Sequence, residues 1–302
     1  MIDILVRAGC FIGIIALGYI LRKIGFFKEE DFSVLSKIVL RITLPAAIVT
    51  NFAGKKIEMS MLILTLMGIG IGAVYISIAF LINRKKTKED TIFDVVNLSG
   101  YNIGAFTMPF AQSFLGPMGV IAASLFDVGN ACVCLGGSHG IGKVLKQGGK
   151  ISVGKILKNL IKSVAFDTYL IMFLVNMMNL SLPKPILSFT EIVGNANAFV
   201  AMLMVGVGFK LSGDRAQIGR IIKTLGIRYG IGIIFALSIF FLLPFPTEVK
   251  VALMIIAMSP LPSSSPAYTE DLKNDVGLSS ALNSIAIICS IVFIVSILLI
   301  ML

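Results

Sequence analysis

The sequence predicts an all-α membrane protein with ten transmembrane helices arranged as two inverted repeats of five. Three observations support this fold class: the composition, ten long apolar runs, and a basic segment that divides them into five and five. Of the 302 residues, 57% are hydrophobic and 14% are charged, whereas about a quarter of the residues in a soluble domain are charged. This composition excludes a soluble enzyme, a disordered chain and a secreted disulfide scaffold.

Each apolar run is long enough to cross a bilayer, which requires about 20 residues. The fourth and ninth runs are interrupted by polar residues, glycine and proline. The predicted spans are 4–21, 33–54, 59–82, 92–114, 118–139, 163–182, 186–209, 220–243, 248–270 and 278–301.

The distribution of Lys and Arg between the loops predicts the orientation. Eighteen of these cations follow odd-numbered spans and five lie on the opposite side. Three more, Lys37, Arg41 and Arg228, lie inside spans, and we expect them to extend toward the cytoplasm. The positive-inside rule makes the odd loops cytoplasmic. We therefore expect a multi-pass protein of the cell membrane with both termini extracellular or periplasmic. The net charge of +10 reflects this orientation and does not indicate a nucleic-acid partner.

A basic segment near the middle of the chain predicts the domain organisation. Residues 141–162 carry six lysines interleaved with apolar residues, and they separate a first repeat, 1–140, from a second, 163–302. Because each half has an odd number of spans, the second must insert upside down, as in many secondary transporters. The linker is either an amphipathic helix on the anionic cytoplasmic leaflet or a solvated connector.

The two interrupted spans occupy the same position in each half. Proline removes a backbone donor and clashes with the preceding turn, so each helix is expected to open at its proline. Open backbone at membrane depth is tolerated only against protein or a water-filled cavity. We therefore predict that the two helices cross at the midplane, with half-helix N-termini facing an anion. The prolines are Pro109 in span four and Pro260, Pro262 and Pro266 in span nine.

The expected substrate ligands lie on these two segments. An amide such as that of Asn102 binds a carboxylate without burying another charge. The serine hydroxyls of span nine either bind substrate or satisfy the broken span's own backbone. The predicted substrate-binding residues are Asn102, Gly104, Pro109, Pro262, Ser263 and Ser264.

Asp127 lies midway along span five, where a carboxylate costs about 2.5–3.5 kcal/mol to insert. Burial favours the protonated form of a carboxyl group. Asp127, with Asn130, is therefore a candidate for proton or cation coupling. The alternative is a structural acid that is hydrogen-bonded to Asn130 or to the opened backbone of span four.

No enzymatic or metal site is expected. Residues 136–140 match the G-x-S-x-G nucleophile motif, but that motif needs a strand-to-helix turn and a separate catalytic histidine. His139, within the motif, is the only histidine in the chain. With Cys132 and Cys134 as the nearest thiols, a structural zinc site lacks ligands. No cofactor is predicted.

Several stretches of the chain resemble the auxin efflux carrier family, which includes bacterial malate and malonate permeases and plant auxin exporters. In span four, Asn102, Gly104 and Pro109 fall where the family has Asn-x-Gly and then Leu-Pro, although Met108 replaces that leucine. Pro262 aligns with the family proline of span nine. The other similar stretches are 17–25, 35–46, 114–119, 126–130 and 274–278.

The resemblance implies two crossed broken helices, a scaffold domain, a transport domain and carboxylate-bearing substrates, in an arrangement like that of the bile-acid/sodium symporters and sodium/proton antiporters. We expect a secondary transporter that moves a small organic anion, malate- or malonate-like or auxin-like, by alternating access, with possible proton coupling. The sequence does not decide whether the protein forms a homodimer.

Three alternatives remain. A sodium-coupled organic-anion symporter of bile-acid type needs clustered acidic and amide oxygens at the crossing, for which Gln112 and Glu270 are candidates. The second alternative is a non-transporting membrane receptor, and the third is a channel.

Overall fold

A computed structural model describes residues 2–55, 57–210 and 217–302, and all of its regular elements are helical. Two of the loop cations counted above, Lys56 and Arg215, lie outside the described residues. The helices are α1 (Ile2–Lys23), α2 (Asp31–Phe52), α3 (Met59–Ile82), α4 (Lys88–Leu98), α5 (Met108–Phe114), α6 (Gly116–Gln147), α7 (Val153–Ile161), α8 (Val164–Met177), α9 (Lys184–Gly208), α10 (Ile218–Leu242), α11 (Thr247–Ala257), α12 (Ser265–Asp271) and α13 (Val276–Met301).

Seven of these helices are long and apolar enough to cross a membrane: α1, α2, α3, α6, α9, α10 and α13. Helices α7 and α8 make an eighth candidate if the pair, bent by 79°, is one span. The predicted spans 92–114 and 248–270 are each divided into two shorter helices. The structure thus supports an all-helical membrane protein with seven or eight such helices, and the ten-helix inverted repeat stays a prediction.

The helices pack as two groups. We call α1, α2, α8 and α9 the first helix group, and α3 to α6 with α10 to α13 the second. Within the first group α1 crosses α9 so closely that a Cβ on Gly206 would lie 2.0 Å from the Ile15 carbonyl oxygen. Within the second group, a Cβ on Gly129 of α6 would lie 2.0 Å from the Thr65 oxygen of α3. Glycine therefore allows the close helix crossing at the centre of each group.

The sequence predicted that the first broken span opens at its proline, and the structure shows that it does not. The chain leaves the helix after Leu98 and re-enters it at a π-helical turn, Ile103–Thr107, which runs directly into α5. Pro109 lies in the first turn of α5. A proline there is tolerated because its missing N–H is not needed by a preceding α-helical turn. The opening instead falls on Gly100, whose φ is +83°, a left-handed conformation that glycine adopts readily.

The linker contains the helix α7. It packs on the protein through buried Leu160 and leaves Val153, Leu157 and Ile161, which are spaced four residues apart, exposed. The lysines of the helix, Lys155 and Lys158, are also exposed. An exposed apolar face flanked by lysines is the surface that the leaflet-bound alternative requires.

Candidate substrate site

The two breaks are bonded directly to each other. The first break is residues 99–102, between α4 and the π turn, and the second is residues 258–264, between α11 and α12. The backbone N–H of Asn102 donates to the carbonyl of Pro260 at 3.0 Å. The hydroxyl of Ser259 donates to the carbonyl of Asn102 at 3.4 Å and also contacts the hydroxyl of Thr107. The breaks therefore meet at one point, which we call the crossing.

Asn130 of α6 secures the first break. Its Oδ1 accepts a hydrogen bond from the Tyr101 N–H at 2.9 Å, and its Nδ2 donates to the Tyr101 carbonyl at 3.0 Å. One side chain thus satisfies both polar groups of a residue that has left the helix, as buried backbone requires. The sequence had suggested Asn130 only as a neighbour of Asp127 or a coupling residue.

A cavity of about 190 Å³ opens beside the crossing. Seven of the eight predicted site residues line it: Asn102, Gly104, Asp127, Asn130, Pro262, Ser263 and Ser264. The eighth, Pro109, is buried in α5 and does not line the cavity. Leu40 and Leu44 of α2 and Tyr169 of α8 form the opposite wall. The cavity therefore lies between the first and second helix groups.

The polar groups of the cavity are mostly neutral donors. The side-chain amide of Asn102 makes no hydrogen bond to any described residue, so it is free toward the cavity. Gly104 belongs to the π turn that leads into α5, and Ser263 and Ser264 immediately precede α12. The starts of both half-helices therefore face the same space, and helix N-termini carry partial positive charge.

Asp127 is the single carboxylate among the described residues that line this cavity, and no Lys or Arg in the described lining accompanies it. Its Oδ1 accepts from Asn130 Nδ2 at 2.9 Å and its Oδ2 accepts from the Tyr169 hydroxyl at 3.1 Å. The hydrogen bond to Asn130 is the contact that the structural alternative requires. The position in the cavity is the one that the coupling alternative requires.

Arg228 of α10 is the residue that the sequence interpretation placed wrongly. We expected its side chain to extend toward the cytoplasm, but it is fully buried, with 0% exposure. Its guanidinium donates to the carbonyl of Leu98, the last residue of α4, at 2.6 Å and to carbonyls of both breaks: Gly100 at 2.8 Å, and Ser259 and Pro260 at 2.9 Å each. The four acceptors explain the inward direction, because no such set is offered at the membrane surface. The sequence did contain one indication of burial, because Arg228 lies ten residues inside its helix, far from either end.

The oxygen donors proposed for a sodium-coupled carrier do not meet at the crossing. Gln112 accepts from Asn197 Nδ2 at 2.8 Å, and Asn197 Oδ1 accepts from the Thr43 hydroxyl at 2.9 Å. Glu270 is exposed and lines a different cavity of about 400 Å³ together with Asn283. Across residues 2–55, 57–210 and 217–302, no three His, Cys, Asp or Glu side chains are grouped so as to hold a metal ion.

Comparison with known proteins gives one family match. Residues 11–148 match the family model described as Membrane transport protein, which represents the auxin efflux carrier family. The match confirms the resemblance inferred from the sequence over the part of the chain that includes the first break, Asp127 and Asn130. The matched family is one of membrane transporters and not of enzymes. No curated protein matches the chain.

Proposed function

We propose that this protein is a secondary transporter of the cell membrane that moves a small organic anion by alternating access. The observation that carries the proposal is the cavity at the crossing, lined by residues from both breaks and both helix groups. Substrate sites of secondary transporters lie at such interrupted helices, with half-helix N-termini directed at anionic groups. On this proposal the interrupted spans 92–114 and 248–270 also cross the bilayer, which gives ten spans and places both termini outside.

The size and chemistry of the cavity favour a small carboxylate. A cavity of about 150 Å³ accommodates a benzene-sized ligand, so about 190 Å³ suits a malate- or malonate-like molecule better than the larger indole-acetate. The Asn102 amide and the Ser263 hydroxyl supply hydrogen-bond donors to carboxylate oxygens. Neither donor adds a charge that would have to be desolvated when the cavity is empty.

Asp127 gives a physical reason for proton coupling. A substrate carboxylate in the same small cavity as an ionised Asp127 would be repelled strongly, because charges interact more strongly where water is scarce. A protonated Asp127 removes the repulsion and offers a donor. Uptake of a dicarboxylate against a negative interior also needs a coupled cation or an exchanged anion, since each charge moved through 100 mV is worth about 2.3 kcal/mol.

The boundary between the helix groups suggests how access alternates. One wall of the cavity belongs to α2 and α8, and the other belongs to the broken helices and α6. The crossing is bonded internally through Asn102, Pro260 and Ser259. We propose that the second helix group moves as a unit against the first and carries the crossing with it.

Reconstituted liposomes test the proposal. Uptake of labelled malate, malonate and indole-acetate is measured with and without a pH gradient, a Na⁺ gradient and an imposed potential. We expect saturable uptake of malate or malonate that an inward proton gradient accelerates. Absence of saturable flux for every carboxylate would contradict the proposal, and a requirement for Na⁺ would favour the sodium-coupled alternative. Single-channel currents would indicate a channel.

The coupling role is tested by Asp127→Asn, which cannot ionise; its oxygen can still accept from Asn130 Nδ2, and its amide nitrogen can donate to the Tyr169 hydroxyl. We expect the variant to lose the response to the pH gradient while retaining carboxylate exchange. Asp167→Asn is the matched control, because Asp167 lies on α8 and does not line the cavity. An Asp127→Asn protein with the pH response of the wild type would assign Asp127 a structural role.

A further inference from the structure

Arg228 lies at the middle of the predicted membrane. It is ten residues from the first residue of α10, Ile218, which corresponds to about 15 Å along a helix. That is half of the ~30 Å hydrocarbon core, and the side chain is fully buried there. An arginine cannot lose its charge by deprotonation under ordinary conditions, so the crossing contains a permanent cation.

The four groups that Arg228 contacts are of one kind. Leu98 is the last residue of α4 and Gly100 follows it by two positions, while Ser259 and Pro260 come directly after the end of α11. All four acceptors are backbone carbonyl oxygens at or beyond the C-terminal end of a half-helix. In secondary transporters, carbonyls of unwound backbone and half-helix C-termini are the groups that coordinate Na⁺.

The charges at the crossing balance in a simple way. Each helix C-terminus is equivalent to roughly −0.5 charge, so the ends of α4 and α11 together amount to about −1, which one guanidinium neutralises. No carboxylate among the described residues forms an ion pair with Arg228. The rings of Tyr75 and Tyr101 lie 5.6 and 5.0 Å from the guanidinium carbon and add further stabilisation.

We propose that Arg228 is a built-in cation that takes the place of a co-transported sodium ion at the crossing. Because the two negative half-helix ends are already neutralised, no Na⁺ has to enter with the substrate. This inference rests on the proposed transport function. It makes the transport cycle independent of Na⁺ and assigns Arg228 a positioning role, since the side chain does not line the substrate cavity.

The test compares the wild type with Arg228→Ala, Arg228→Lys and Arg220→Ala in liposomes, with Na⁺ or choline as the cation. Arg220 is the matched control, because it lies on the same helix but pairs with Asp90 away from the crossing. Wild-type and Arg220→Ala flux should not respond to Na⁺. Arg228→Ala should lose about tenfold or more in flux and recover part of it with Na⁺, which can occupy the vacated carbonyls. Arg228→Lys should be intermediate and insensitive to Na⁺.

Thermal unfolding in detergent gives a second measurement that does not need transport. Na⁺ should raise the Tm of Arg228→Ala, because a ligand that binds only the folded state stabilises it, and should leave the wild-type Tm unchanged. Stimulation of wild-type flux by Na⁺, or Arg228→Ala with wild-type flux, would overturn the proposal. So would a folded, inactive Arg228→Ala protein that responds to Na⁺ in neither flux nor Tm.

Two further outcomes separate this inference from the proposed function. If the wild type moves no carboxylate, the proposed function fails, while the Tm comparison still decides whether the carbonyls accept Na⁺ in the absence of Arg228. If Arg228→Ala does not fold, the Na⁺ response of the wild type and of Arg228→Lys decides the question. Stimulation of either protein by Na⁺ contradicts the inference, and its absence from both supports it.

Discussion

The two breaks reach the same point in the protein by different chemistry. The first contains one glycine with left-handed backbone, Gly100, and an Asn130 side chain that pairs with both polar groups of Tyr101. The second contains Pro260 and Pro262, which have no N–H to satisfy. Opening a helix in lipid requires either partners for the released groups or removal of those groups. The first break depends chiefly on hydrogen-bond partners for its backbone groups, and the second depends partly on prolines that have no N–H to satisfy.

This difference predicts unequal sensitivity to substitution. Substitutions at the first break should remove either the left-handed backbone of Gly100 or the hydrogen bonds between Asn130 and Tyr101, and no other described residue pairs with both polar groups of Tyr101. In the second break, the carbonyls of Ser259 and Pro260 keep their bonds to Arg228 when a neighbouring proline is changed. Equal effects in both breaks would contradict the comparison.

The largest effect is expected from Gly100→Ala. A left-handed alanine costs about 1–2 kcal/mol, and its Cβ would lie 2.4 Å from the Cys134 sulfur, an overpacking that adds about 1–3 kcal/mol. Gly116→Ala is the matched control, since Gly116 also has positive φ but nothing lies within 4 Å of its Cβ position. Tm and liposome flux are the measurements. Equal losses in the two variants would show that contact at the crossing does not matter.

Asn130→Ala should come next. It releases the N–H and carbonyl of Tyr101, and we expect a cost of about 1–3 kcal/mol, since Tyr101 lines the cavity and a water molecule admitted there would replace part of the lost bonding. Asn176→Ala is the control, since Asn176 donates only to the Met172 carbonyl of its own helix. Unfolding in detergent and substrate KM should both change for Asn130→Ala. An unchanged KM would remove Asn130 from the site.

Pro262→Ala should have a smaller effect. The substitution mainly gives the unfolded chain more freedom, which is worth about 0.4–1 kcal/mol, while the hydrogen bond from Asn102 to Pro260 and the contacts of Arg228 remain. We expect a Tm close to that of the wild type and a modest loss of flux. A loss as large as that of Gly100→Ala would mean that the second break also depends on one residue.

The smallest effect is expected beyond the second break, at the end of α12. His139 lies 2.7 Å and Lys143 3.0 Å from the Asp271 carboxylate, and these hydrogen bonds lower its pKa below the ordinary 3.8. A lowered carboxyl pKa stabilises the folded state at neutral pH, and this contribution disappears as the pH falls through the lowered pKa. Asp271 and Lys143 are exposed, so Asp271→Asn should lower Tm slightly at pH 7 and not in strong acid. A constant difference across pH would exclude the ion pair as the cause.

The sequence was sufficient to predict the interruption of spans four and nine, because proline and polar residues inside an apolar run have few structural explanations. The predicted position of the first opening was wrong, since Pro109 fits the first turn of α5 and the residue with left-handed backbone is Gly100. Glycine is common in membrane helices, so the sequence alone does not show which one adopts positive φ.

The candidate site was predictable to a similar extent. Asn102, Asp127 and Ser263 attract attention because polar residues are expensive in lipid, and the structure places all three around one cavity. Arg228 was misplaced because a single cation in a span is equally compatible with an outward or an inward side chain. The direction follows from four carbonyls that are distant in sequence, and periodicity carries no information about them.

The distance along the chain between Arg228 and its acceptors has a consequence for how the protein is made. Leu98 and Arg228 are separated by 130 residues, so the first break is synthesised long before the side chain that completes it. Until α10 is inserted, the carbonyls of Leu98 and Gly100 lack these partners, and each unsatisfied group in hydrocarbon costs several kcal/mol. The first break therefore reaches its final form only after α10 has been inserted, and we expect a first half that is expressed alone to gain stability when the second half is supplied as a separate chain.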